Sequence, residues 1–123
     1  MPYAAKTRVP AERTRAEIEE LVRRHGATSF ASAWDDTSRR AQIEFVISNR
    51  RIRFGMQMPE EQHAQQLRSR WRSLMLAIRA KLESVKTGIE SFDEAFLAHV
   101  VMKDGRTFGE ITLKQLEFAE ERE

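Results

Sequence analysis

The sequence predicts an α+β domain: an N-terminal helix, a three-stranded antiparallel β-meander packed on a long amphipathic helix, then short C-terminal helices and a β-turn. Three observations predict it. Apolar residues recur at helical spacing from Leu67 to Lys86, whereas between Ala27 and Met58 they alternate with a period of two. Turn chemistry at Gly26, Ser48-Asn49 and Gly88 separates these segments.

Residues 1–13 show no period and include Pro2 and Pro10, so they read as an extended N-terminal arm ahead of a single domain over 14–123. Thr14-Arg-Ala-Glu17 matches a capping box, in which the Thr hydroxyl accepts from the third helical amide and the Glu reaches back. Ile18, Leu21 and Val22 then repeat at three and four, giving a first helix over about 15–25. Arg23, Arg24 and His25 favour its C-terminal dipole, and Gly26 can take the left-handed stop.

Phe30, Ser32 and Trp34 alternate with small residues, and Asp35-Asp36-Thr37-Ser38 supplies a turn. Ala41, Ile43, Phe45 and Ile47 form the apolar face of a second strand, and Ile52, Phe54, Met56 and Met58 that of a third. Ser48-Asn49 is the tight turn between them, where Asn tolerates positive φ. The polar face carries Arg40, Arg51 and Arg53 with Glu44 and Gln57, a pattern of cross-strand pairing. Its aromatics, Phe45 and Phe54, sit on the apolar face, which argues against a base-stacking sheet.

Pro59 suits the first position of the long helix, with Glu60 and Glu61 in a negative first turn. Leu67, Trp71, Leu74, Met75, Ile78, Leu82 and Val85 fall within an arc of about 100°. Gly88 ends the helix, and Ile89 is placed for the apolar contact that accompanies such a stop. Ser91-Phe-Asp-Glu94 opens a short helix holding Phe92, Phe96 and Leu97. Lys103-Asp104-Gly105 turns between two short extended pieces, and Thr112-Leu-Lys-Gln115 is expected to cap a final acidic helix over about 113–121.

Charge is unevenly spread. Residues 1–86 carry 17 Lys/Arg against 10 Asp/Glu, giving +7, and the acidic appendage 87–123 carries 4 against 9, giving −5. The helix from Leu67 to Lys86 alone holds six basic residues. Arg68, Arg72, Arg79 and Lys86 share one flank, roughly 90° from the centre of the apolar stripe. Such a row can neutralise successive phosphates, with Arg15, Arg23 and Arg24 of the first helix assisting. Trp71 would stack on a base if exposed, but its place inside the apolar arc makes it core.

The opposite flank is small: Ser69, Ser73, Ala77, Ala80 and Ser84, with Leu76 beside them. A face of that kind meets another helix of the chain or a second protein. The alternative function is therefore a protein-interaction module, a homodimer or an inhibitor of a host protein. It would use Ser73, Leu76, Ala77 and Ala80 or the acidic C-terminal helix.

With no cysteine, disulfides, thiolate chemistry and cysteine zinc sites are excluded. His25, His63 and His99 lack a second ligand at metal spacing, and no phosphate loop or nucleophile motif occurs. The expectation is a non-enzymatic protein without cofactor or metal. No apolar run reaches the roughly 18 residues of a membrane span, and the N-terminus lacks a secretory core, so a cytoplasmic location is expected.

The α-β-β-β-α order resembles that of the double-stranded-RNA-binding domain. That family grips phosphates at the start of its second helix, where this chain has the acidic Pro59-Glu-Glu-Gln-His63, so the likeness is one of topology. A second resemblance rests on Arg13-x-Arg15-Ala-Glu17-Ile18-Glu19, Arg24-His25-Gly26-Ala27 and Arg70-Trp71-Arg72-x-Leu74. With Lys81-Leu82-Glu83, Gly88-Ile89, Phe96-Leu97-Ala98-His99 and Asp104-Gly105-Arg106-Thr107, the chain resembles a family of small phage and prophage proteins. The resemblance implies a bacterial host and either a DNA-metabolism accessory role or inhibition of a host protein.

Overall fold

The structure, a computed structural model, describes residues 2–60 and 64–122, and their side chains over 11–60 and 65–117. The elements are α1 (Pro2–Arg24), β1 (Ser29–Asp35), β2 (Arg40–Ile47), β3 (Arg50–Gln57), α2 (Ala64–Lys86), α3 (Phe92–Phe96) and α4 (Phe108–Arg122), with a 3-10 turn at Leu97–His99. This is the α+β architecture that the periodicities predict.

The sheet is an antiparallel meander in the order β1-β2-β3. Ser48 and Asn49, with φ of 54° and 62°, join β2 to β3 in a turn of the primed type that suits the right-handed strand twist. The register Phe45↔Ile52 and Ile43↔Phe54 puts one apolar face inward. Ala41, Ile43, Phe45, Ile47, Ile52 and Phe54 are buried there against Ile18, Leu21 and Val22 of α1 and Trp71, Leu74, Met75, Ile78 and Leu82 of α2. On the outer face Glu44 accepts from Arg53 Nε at 2.7 Å, directly across the strands, with Arg51 3.6 Å away.

Both long helices end in the same device. Ala27 N–H donates to Val22 O at 2.9 Å and Gly26 N–H to Arg23 O at 3.0 Å; Ile89 N–H donates to Ser84 O at 3.0 Å and Gly88 N–H to Val85 O at 3.1 Å. These are paired Schellman closures around glycines with φ of 97° and 80°. Ile89 itself stays 79% exposed, so the apolar contact expected of it is not made.

Three boundaries differ from the sequence reading. There is no extended arm over residues 2–13, because α1 begins at Pro2 and Thr14 lies inside it rather than capping it. Pro2 sits at the first helical position, where its missing amide costs no bond, and the buried stripe starts as early as Ala11. Pro10 is accommodated within the helix despite its missing donor. The second difference is the start of α2, described from Ala64; Pro59 and Glu60 precede it in irregular backbone, and Glu61, Gln62 and His63 lie outside the described residues.

The third is the cap of α4. Glu110 N–H donates to Thr107 Oγ1 at 3.2 Å and Thr107 N–H to Glu110 Oε1 at 3.2 Å, so the box sits five residues earlier than expected. Thr112 is inside the helix, its hydroxyl donating to Phe108 O at 2.8 Å. The box at Ser91–Glu94 is as expected.

The C-terminal segment closes one sheet edge. Val100 bridges Ile52, Val101 bridges Thr107, and Val101 N–H donates to Arg51 O at 2.8 Å. Arg53 Nη1 donates to Gly105 O at 2.8 Å, holding the Lys103–Arg106 turn on the polar face. Arg50 grips Asp93 with two hydrogen bonds, 2.9 and 3.1 Å, and its guanidinium holds that carboxyl below the usual range.

Candidate nucleic-acid interface

The basic residues sort into two groups. Among the described side chains, eight arginines form ion pairs: Arg15, Arg23, Arg24, Arg39, Arg50, Arg51, Arg53 and Arg106. Arg70 donates to Gln57 O, and Lys81 donates to Ala95 O at 2.9 Å while lying over the Phe96 ring. Arg68, Arg72, Arg79 and Lys86 have no carboxylate within ion-pair reach among the described residues, and all four are exposed. Arg13, Arg40, Lys103 and Lys114 are likewise exposed without an ion pair among the described residues, and the predicted row on α2 differs from them in setting four such charges along one helix edge.

The row exists because α2 buries the arc centred between Trp71 and Ile78, which fixes positions 68, 72, 79 and 86 at the rim. At its N-terminal half this rim faces α1. A groove of about 420 Å³ lies there, lined by Arg13, Thr14 and Glu17 of α1 and Gln65, Arg68, Ser69 and Arg72 of α2. Three guanidinium groups thus share one concavity with a single carboxylate, a local excess that attracts anions. Lys86 stands apart in the last turn of α2, where the helix dipole also favours it.

Arg13 was missed by sequence reasoning because the stretch around Pro10 reads as irregular. Extending the helix back would have found it, since positions 13 and 17 then fall on one flank. The first-helix candidates fare differently. Arg15 and Arg23 flank Glu19, at 3.6 and 2.7 Å, and Arg24 pairs with Glu20 at 3.6 Å. Their charge is spent within the helix, and the structure does not bring Arg15 to the α2 row.

Arg15 instead lines a second hollow, of about 290 Å³, with Ala11, Ser32, Trp34, Leu67 and Trp71. Trp71 is 5% exposed, so it is core and unavailable for base stacking. Its indole N–H has no acceptor among the described residues. The exposed tryptophan is Trp34, at 46%, whose indole N–H donates to Asp36.

The small-residue flank of α2 is not packed inside the molecule. Ser73, Leu76, Ala77 and Ala80 are all exposed, Leu76 by 52%. On α4, Leu113 and Leu116 also face outward. His25 Nδ1 lies 2.9 Å from Leu21 O on an exposed helix end, while His99 is half-buried, 3.2 Å from Arg53 O. Among the described residues no group of three acidic or histidine side chains is placed to hold a metal, and no helix is long and apolar enough to cross a membrane. Comparison with family models, with curated proteins and with solved structures returns no match.

Proposed function

We propose that the protein is a non-enzymatic accessory factor that binds nucleic acid along the rim of α2, through Arg68, Arg72, Arg79 and Lys86, with Arg13 completing the groove. The observation that carries this reading is the alignment of charge: eight arginines are paired with carboxylates, whereas four cations set along a single edge of α2 have no carboxylate within reach among the described residues. Exposed, unpaired guanidinium groups along one helix edge suit a phosphate backbone, which is read by charge and spacing rather than by sequence. A phage or prophage setting, which the sequence motifs resemble, is compatible with such a role. The test is fluorescence anisotropy with labelled single- and double-stranded DNA and RNA. Binding should weaken steeply with salt and be lost in Arg72→Glu/Arg79→Glu. Unchanged binding in that variant overturns the site.

The exposure of Leu76, Ala77 and Ala80 favours a second reading, a protein partner seated on the small flank of α2. On that reading nucleic acid does not bind, and Ala77→Arg abolishes a complex while leaving the fold intact.

A further inference from the structure

The two edges of the sheet are treated differently. The free edge of β3 is closed by Val100 and Val101, whereas β1 is an edge strand with no partner beyond β2 among the described residues. Open edges are ordinarily blunted by charge, proline or a bulge. The interior of β1, Phe30-Ala-Ser-Ala-Trp34, has no charge and no proline, and nearly all of it is exposed.

The strand is also near-symmetric about Ser32. Ala31 and Ala33 are identical, and Phe30 and Trp34 are both aromatic. We infer that β1 pairs antiparallel with β1 of a second copy about a two-fold axis at Ser32, joining two three-stranded sheets into one of six strands. This pairing sets Phe30 opposite the second copy's Trp34 twice over. Both side chains lie on the inward face, since Phe30 is level with Phe45 and Trp34 with Ala41. Aromatic pairs at opposing positions are favourable in antiparallel ladders.

A parallel or shifted alignment loses this aromatic match. The same register brings the second copy's Phe30 to the mouth of the hollow between Trp34, Ser32 and Trp71, covering the half-exposed Trp34. The inference is independent of the nucleic-acid reading, because no residue of the α2 row takes part.

The absence of cysteine gives a direct test on the full chain. Ser32→Cys places the two new thiols opposite each other, whereas in Ser29→Cys they stand six residues apart along the seam, about 20 Å. Mild oxidation should cross-link the first and not the second. In sedimentation equilibrium the wild type should be a dimer and Ala31→Lys/Ala33→Lys a monomer, with circular dichroism unchanged, since like charges would then face each other. A wild type that is monomeric up to its solubility limit, a dimer that survives the double lysine change, or equal cross-linking of both cysteine variants overturns the inference.

Discussion

The imidazole of His99 lies flat on the ring of Phe54, with centroids 3.9 Å apart and planes 17° from parallel. Burial lowers the pKa of His99 from 6.5, the nearby Lys81 charge adds to this, and the hydrogen bond to the Arg53 carbonyl opposes it. The folded state therefore prefers the neutral ring. Above the ordinary histidine range both states are neutral and His99 contributes no pH dependence. As pH falls through about 6.5 the unfolded chain takes up the proton first, so stability drops until the lower folded-state pKa is passed. Urea midpoints at pH 7.5 and 5.5 should show this loss in the wild type and less of it in His99→Phe, which keeps the stacked ring. Equal pH slopes in the two proteins would show that His99 is not the group responsible.

Phe96 holds the C-terminal appendage to the sheet. It is fully buried, edge-on to Phe45 at 6.1 Å and to Phe54 at 6.3 Å, and stacked on Phe92 at 4.7 Å. Phe96→Ala should cost about 3–5 kcal/mol, the range for an aromatic deleted from a packed core. Denaturant unfolding followed by tryptophan fluorescence measures it. A loss below about 1 kcal/mol would mean that the appendage docks without this ring.

The strands were legible because a period of two is hard to mistake once one face is apolar, as Ile43, Phe45, Ile52 and Phe54 show. The helix stops were legible from Gly26 and Gly88, whose positive φ the closures require. The cap of α4 was not. Thr107-Phe-Gly-Glu110 and Thr112-Leu-Lys-Gln115 both fit the capping pattern, and the Val101↔Thr107 bridge decides between them by releasing the chain at Thr107. The trace was there in the Lys103-Asp104-Gly105 turn, whose return strand ends at Thr107, but the capping pattern taken alone does not rank the two boxes. The basic row on α2 followed from helical geometry, but Arg13 and the carboxylate partners of Arg15, Arg23 and Arg24 depended on where α1 begins and how its flanks pair.

Gly109 sits where α4 touches the 3-10 turn. A Cβ there would lie 2.8 Å from Ala98 O and 3.3 Å from Ala98 Cβ, against backbone that cannot swing aside. In an unobstructed helix Gly→Ala stabilises by about 1 kcal/mol. Here Gly109→Ala should instead lift α4 off the domain. Amide exchange over α4 should accelerate while the amides of β2 and β3 keep their protection. Unchanged exchange in α4 would show that the helix packs more loosely on Ala98 than this contact implies.

If the α2 rim binds phosphates, its residues should be separable from the paired arginines by salt dependence alone. Each phosphate contact on duplex DNA contributes about −0.9 to the slope of log affinity against log salt. Arg68→Ala and Arg72→Ala should each lower that slope by roughly one contact, and Arg13→Ala should do the same because it shares their groove. Arg24→Ala should leave the slope unchanged, since Glu20 already holds that guanidinium 3.6 Å away. Neutralising Glu17 as Glu17→Gln adds no cation but removes the one carboxylate lining the groove, so affinity should rise while the slope stays the same. A slope that responds equally to Arg24 and Arg72 would mean that the protein is held by its net field and has no localised interface.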